Sequence, residues 1–173
     1  MMKQALLDAA EAVLSEHGGR ALTLNAVAER AGVSKGGLLY HFPTKEALVQ
    51  ALVARVIAEF DELIGSFEDG GPGSYTRAYV LATFEILTGE ARAHRRWSAI
   101  TAAATDPELA EPLNEAMGRW HKRPCGEDPD PATGMAVRLA AEGLWEVLSH
   151  RPGLYDEAQL ADLRTRLLAL ASG

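Results

Sequence analysis

The sequence predicts an all-α chain of about nine helices, a small N-terminal three-helix domain joined to a larger helical domain. Three observations predict it. Apolar residues recur at i, i+3, i+4 and i+7 along much of the chain, the spacing that gathers them on one face of a helix. Breaks rich in glycine and proline, EDGGPGS at 68–74 and RPCGEDPDPA at 123–132, cut the chain into helix-sized lengths. A hydrophobic content of 47% over 173 residues is enough to fill a sizeable core.

The first helix is KQALLDAAEAVLSEHG, amphipathic from Lys3 onward. Thr23 then caps a helix whose apolar positions Leu24, Val27, Ala28 and Ala31 share one face. Gly32 stops it, because glycine tolerates the left-handed conformation of a sharp turn. Val33 plugs the corner and Ser34 caps a short helix through Lys35, Gly36, Gly37, Leu38, Leu39 and Tyr40. Two helical glycines cost roughly 1 kcal/mol each relative to alanine, and close approach to a partner is a reason to keep them. A bare helix face enters a DNA major groove deeply, with the free amides of its first turn facing phosphate. Tyr40 lies on the Gly36 and Gly37 face, with His41 beside it. Of Leu38 and Leu39, one packs inward and the other is free to touch a thymine methyl, and Phe42 reads as core. Thr44 caps the next helix with Lys45 in its first turn, where a cation opposes the helix dipole and a phosphate partner explains it better.

Six further helices follow. The long one from Thr44 to about Ser66 carries Leu48, Leu52, Val56, Phe60, Leu63 and Phe67 along one stripe. A helix from Tyr75 to about Glu90 is apolar nearly all round and belongs at the centre of its domain. One from about Arg92 to Ala104 carries Trp97 and Ile100, and Asp106-Pro107 opens another bearing Leu109, Leu113, Met117 and Trp120. The last two span about 131–149 and 156–171, the final one with Leu160, Leu163, Leu167 and Leu170 in a narrow seam.

The stretch VAERAGVSKGGLLYHFPTKEALVQAL closely resembles the N-terminal domain of TetR-type transcriptional regulators, with the strict motif covering about residues 20–52. The resemblance implies a helix-turn-helix DNA-binding domain at 1–48 and an effector-binding and dimerisation domain at 49–173. It places Thr23, Ser34, Lys35, Gly36, Gly37, Leu38, Tyr40, His41 and Lys45 at DNA. It implies a homodimer paired through the Leu160, Leu163, Leu167 and Leu170 seam, although that seam also fits packing on its own domain. Two reading heads then meet a near-palindromic operator, repressing until a small molecule releases them. Phe84, Trp97, Met117, Trp120, Met135 and Trp145 are the candidates for lining an effector pocket, favouring a hydrophobic or aromatic ligand, and are equally consistent with plain core. His94, Arg95 and Arg96 fit either an acidic ligand group or a solvated face.

Charge and composition bound these readings. Residues 1–50 hold five basic and five acidic residues, whereas 51–173 hold 12 and 19, so the net charge of −7 lies wholly in the second part. A neutral reading head relies on dimerisation and local groups rather than on a broad basic field. Only Met1 and Met2 precede Lys3, leaving little arm for a minor groove. The absence of a signal peptide or a long apolar run points to the cytoplasm and away from membranes. His17, His41, His94, His121 and His150 are scattered, no nucleophile, P-loop or dinucleotide motif occurs, and neither cofactor nor metal is expected. The single cysteine, Cys125, excludes an internal disulfide and, beside Arg123, reads more simply as an ordinary thiol than as a redox sensor. The alternatives are an activator, a ligand-independent DNA-binding protein, or a helical interaction protein that no longer binds DNA.

Overall fold

Side-chain caps and left-handed glycines set most of the helix ends. In the computed structural model, which describes residues 1–89, 97, 100, 107–123, 128–151 and 153–173, α1 spans Met2–His17 and α2 Leu24–Ala31, with a short 3-10 turn at Gly19–Ala21 between them. α3 is Lys35–His41, α4 Lys45–Phe67, α5 Ser74–Thr88, α6 Pro107–Lys122, α7 Pro131–His150 and α8 Glu157–Ser172. The all-α expectation is met, with no strand among the described residues. Of the helix expected over 92–104, Trp97 and Ile100 are described, both helical and buried. His94, Arg95, Arg96, Asp106 and Cys125 lie outside the described residues.

The expected caps form. Thr23 Oγ1 accepts from the Ala26 amide, Ser34 Oγ from Gly37 and Thr44 Oγ1 from Ala47, each at 3.1 Å. Each such cap is worth about 1 kcal/mol. Asp156 adds a reciprocal box, accepting from the Gln159 amide at 2.8 Å while the Gln159 side chain accepts from the Asp156 amide at 3.0 Å. Gly32 takes φ +67°, as the turn between α2 and α3 requires.

Two compact units emerge, Met1–Ile57 with Arg95–Ala116, and Ala58–His94 with Met117–Gly173. The change of unit falls within α4, beyond the expected boundary at 48/49. In the first unit, Leu6, Ala10, Val13 and Leu14 of α1 are buried together with Val27 and Ala28 of α2, Leu38 and Phe42. Leu48, Leu52 and Val56 of α4 are buried as their spacing predicts, each such side chain contributing about 1.5–3 kcal/mol. Arg30 clasps Glu16 through both nitrogens, at 2.7 and 2.6 Å, tying α2 to α1. Arg55 reaches back from α4 to Asp8 at 2.6 Å.

The second unit is built on α5. Its Val80 and Phe84 pack with Val137, Leu144 and Leu148 of α7 and with Leu167 and Ala171 of α8. At the foot of α4 the stripe shifts, for Ile64 is buried while Leu63 and Phe67 are half-buried. Near Gly73, which takes φ +69°, α8 closes so tightly that a Cβ would stand 2.0 Å from the Ala171 carbonyl oxygen.

Candidate functional site

Helix α3 is held by one buried residue and presents most of the others. Leu38, expected among the DNA contacts, is instead 0% exposed. It is the inward-facing member of the Leu38 and Leu39 pair, because it shares the core with Val27 and Phe42. Leu39 remains half-buried. Ser34, Lys35, Gly36 and Gly37 are exposed, and the Tyr40 side chain stands out at 84%. His41 is half-buried with its ring edge-on to Tyr40, the centroids 5.1 Å apart. Thr23, exposed at the start of α2, and Lys45, half-buried in the first turn of α4, complete the expected set.

Nothing in the fold fills the space beside the two glycines. A Cβ on Gly36 would meet Ser34 Oγ at 4.0 Å, and one on Gly37 the same oxygen at 3.4 Å. Neither glycine has positive φ. The roughly 1 kcal/mol that each costs relative to alanine is therefore not compelled by backbone conformation or internal packing.

Ion pairing also sharpens the charge of this unit. Glu16 is engaged by Arg30, while Asp8 and Glu11 lie 2.6 and 3.6 Å from Arg55. Three of its acidic side chains thereby face arginines. The hydrogen bonds and charge of Arg30 hold the Glu16 carboxyl below the usual carboxylate range.

In the second unit the expected pocket residues occupy different surroundings. Phe84 is in the core with Val80 and Val137, and Trp145 and Met117 are half-buried. Met135, expected to line a pocket, is 53% exposed, because it lies on the opposite side of α7 from Val137, Ala141 and Leu144. Trp97 belongs to the other unit. Trp120 sits in an aromatic cluster, edge-on to Phe60 at 4.8 Å, while Phe60 is edge-on to Tyr79 at 5.5 Å. The Trp120 indole donates to Asp61 Oδ1 at 2.6 Å, and the Tyr79 hydroxyl donates to Glu142 Oε2 at 2.7 Å. Burial pushes the Tyr75 phenol up to about 12 and Tyr79 further in the same direction, the latter also raised by Glu142. Sequence reading missed Asp61, Tyr75 and Glu142 as partners here. The available signal was Tyr75 and Tyr79, four residues apart on the central helix.

Helices α7 and α8, with the segment between them, carry an exposed apolar surface. Met135, Leu139, Val147, Leu154, Tyr155 and Leu170 are all exposed. Between the helices lies a groove of about 410 Å³ lined by Gly143, Leu144, Val147, Tyr155, Leu160 and Leu163. Within the expected seam, Leu160 and Leu163 are half-buried against their own core, Leu167 is 5% exposed inside it, and Leu170 is 55% exposed. Among the described residues no helix is long and apolar enough to cross a membrane, and no cluster of His, Cys, Asp and Glu is arranged to hold a metal ion.

A capped helix, a left-handed glycine turn and an outward second helix define a helix-turn-helix protein of the kind that places its second helix against DNA. Family models agree: residues 6–52 match "Bacterial regulatory proteins, tetR family" and residues 73–172 match "Tetracyclin repressor-like, C-terminal domain". The chain belongs to the TetR family, and is a DNA-binding transcriptional regulator rather than an enzyme. Its relatives include the HTH-type transcriptional regulator BetI of Serratia proteamaculans, 27% identical over 94% of this chain and 88% of BetI. RutR of Escherichia coli is 35% identical over 54% of this chain, a match spanning only 44% of RutR. Among solved structures, a transcriptional regulator from Rhodococcus has a TM-score of 0.78 at 22% identity, covering 99% of this chain and 96% of its own. The multidrug binding protein EbrR, complexed with malachite green, has a TM-score of 0.76 at 23% identity, covering 95% and 96%. At these identities the two structures speak for the fold.

Proposed function

We propose that the protein is a homodimeric repressor that grips a near-palindromic operator in the cytoplasm and leaves it when a small hydrophobic or aromatic molecule binds the second unit. The outward face of α3 carries this reading. Tyr40 projects into solvent beside two glycines that the fold leaves uncovered, and Ser34, Lys35, Thr23 and Lys45 supply hydroxyl and ammonium groups for phosphate. Phosphate contacts of this kind fix register, whereas base contacts on the groove floor give specificity.

Dimerisation is supported by the apolar face of α7 and α8, where Leu139 and Leu170 are both more than half exposed. A second copy covering that face removes it from water and doubles the reading heads. An aromatic effector is supported by the cluster of Phe60, Tyr75, Tyr79 and Trp120, whose rings offer edges and faces and whose rim holds Asp61 and Glu142. Malachite green in the EbrR complex is one aromatic ligand taken by this fold. α4 begins in the first unit and ends at Phe60, Asp61 and beyond in the second, so a ligand that prefers one arrangement of that helix lowers operator affinity by linkage.

Genome-wide mapping of bound DNA tests the reading. Enrichment of one inverted-repeat sequence, with expression of the adjacent genes rising when the regulator gene is deleted, is the expected result. Falling expression on deletion makes the protein an activator, and absence of any enriched site overturns the DNA-binding role.

A further inference from the structure

We propose that the hydrogen bond from the Trp120 indole to Asp61 is a latch on α4, which holds that helix in its operator-binding setting. Asp61 is then a positioning residue for DNA binding, although it lies in the second unit. The inference rests on the reading above, in which the second unit governs operator binding through α4.

Apolar packing alone sets α4 loosely about its own axis. Leu48, Leu52, Val56 and Phe60 are buried at steps of four residues, and burial of this kind has no preferred direction. Hydrogen bonds to charged groups are short and directional. Arg55 donates to Asp8 of α1 at 2.6 Å, within the first unit. Asp61 Oδ1 accepts from the Trp120 indole of α6 at 2.6 Å, within the second. Arg55 and Asp61 stand roughly 120° apart around the helix axis and about 9 Å along it, so each fixes the rotation of α4 toward its own unit. Because α4 is one unbroken helix from Lys45 to Phe67, a turn released at Asp61 reaches the residues that pack on the reading head.

The pair is also built to open. Trp120 is 6% exposed, whereas the Asp61 side chain is 47% exposed. On release the carboxylate is taken up by water, while the indole N–H loses its acceptor inside the protein. Trp120 belongs to the aromatic cluster as well, edge-on to Phe60 at 4.8 Å, with its carbonyl accepting from the Tyr75 hydroxyl at 3.0 Å. A ring inserted beside Phe60 displaces the indole, and a displaced indole leaves Asp61. Arg119 lies 3.4 Å from Asp61 Oδ2, both side chains being about half exposed, and a pair so open to water adds little.

The experiment measures affinity for the mapped operator by fluorescence anisotropy, with melting temperature and sedimentation recorded for each protein. Asp61→Ala and Trp120→Phe should each weaken operator binding roughly fivefold or more, the lower end of typical coupling between sites. Their combination should lose no more than either alone, since the same bond is removed. Asp61→Asn keeps an oxygen that accepts from the indole and should restore native affinity. Arg119→Ala should leave affinity unchanged, which separates the hydrogen bond from the charge. Trp120→Phe strands no buried donor, so it carries the test should Asp61→Ala fail to fold. A lowered melting temperature with operator affinity intact makes the bond a packing contact only and overturns the latch. Additive losses, affinity lost together with the dimer, or Asp61→Asn as weak as the alanine variant overturn it equally. A native protein that binds no operator overturns the DNA reading beneath it.

Discussion

Arg138 and Asp128 form a buried ion pair in the second unit, Nη1 to Oδ2 at 2.9 Å, with the two side chains 1% and 5% exposed. Thr76 of α5 bonds to both partners. The carboxylate sits where Gly134 has no side chain, since a Cβ there would fall 2.0 Å from Asp128 Oδ2. One interaction thus anchors the segment before α7 to both α5 and α7.

Removing one partner of that pair strands the other charge. Asp128→Ala should cost about 3–5 kcal/mol in urea denaturation, whereas Asp128→Leu with Arg138→Met should cost much less. Gly134→Ala should be harmful in the native background and mild in Asp128→Ala. Additive losses in that pair would mean that the glycine and the carboxylate do not share the space.

Gly73→Ala should destabilise the second unit. The left-handed φ of +69° alone carries about 1–3 kcal/mol for a residue with a side chain, and the Ala171 carbonyl leaves no room for it. Hydrogen exchange should show the end of α8 opening first. Protection unchanged at Leu168 to Ala171 would contradict the contact.

Lys35→Ala and Lys45→Ala should weaken operator and non-operator DNA alike without changing the melting temperature. If each lysine meets one phosphate, the slope of log K against log salt should fall by roughly 0.9 for each contact removed. Tyr40→Ala should weaken operator binding in the same fold-neutral way. Full affinity in all three variants would take them off the DNA face.

Charge on α8 should act differently at neighbouring leucines. Leu170→Glu together with Leu139→Glu should yield folded monomers in sedimentation, because both side chains are on the surface. Leu167→Glu should unfold the second unit, its side chain being enclosed by Phe84 and Leu144. A dimer surviving the surface pair would move the interface elsewhere.

Stability should fall above pH 10. Burial raises the Tyr75 phenol to about 12, so the unfolded chain ionises first and its release of protons favours unfolding between about pH 10 and 12. The contribution is complete below pH 10 and is lost as pH rises through the folded value. Tyr75→Phe should forfeit the hydrogen bond to the Trp120 carbonyl, about 1 kcal/mol near neutrality, and should flatten the alkaline limb in return. An unchanged slope would assign the limb to other groups.

What was legible in the sequence is local. Thr23, Gly32, Ser34 and Thr44 act within three or four residues of themselves, and their chemistry fixes the helix-turn-helix without reference to anything distant. The final seam was harder. Leu160, Leu163, Leu167 and Leu170 look like one stripe, yet at 3.6 residues per turn Leu170 is rotated about 60° from Leu167, enough to move it from core to surface. Leu63 and Ile64 show the same sensitivity. Asp61, Glu142 and Asp128 were illegible for another reason: their partners Trp120, Tyr79 and Arg138 lie on separate helices or beyond a turn, and no spacing rule connects them.

The uncovered pair Gly36 and Gly37 also bears on how such a regulator diversifies. Because neither position supports the core, small residues can be exchanged there with little penalty to folding, and DNA preference is free to drift while the scaffold stays intact. A library randomised at these two codons should return mostly folded proteins with altered operator choice, which makes the pair a natural starting point for building orthogonal genetic switches.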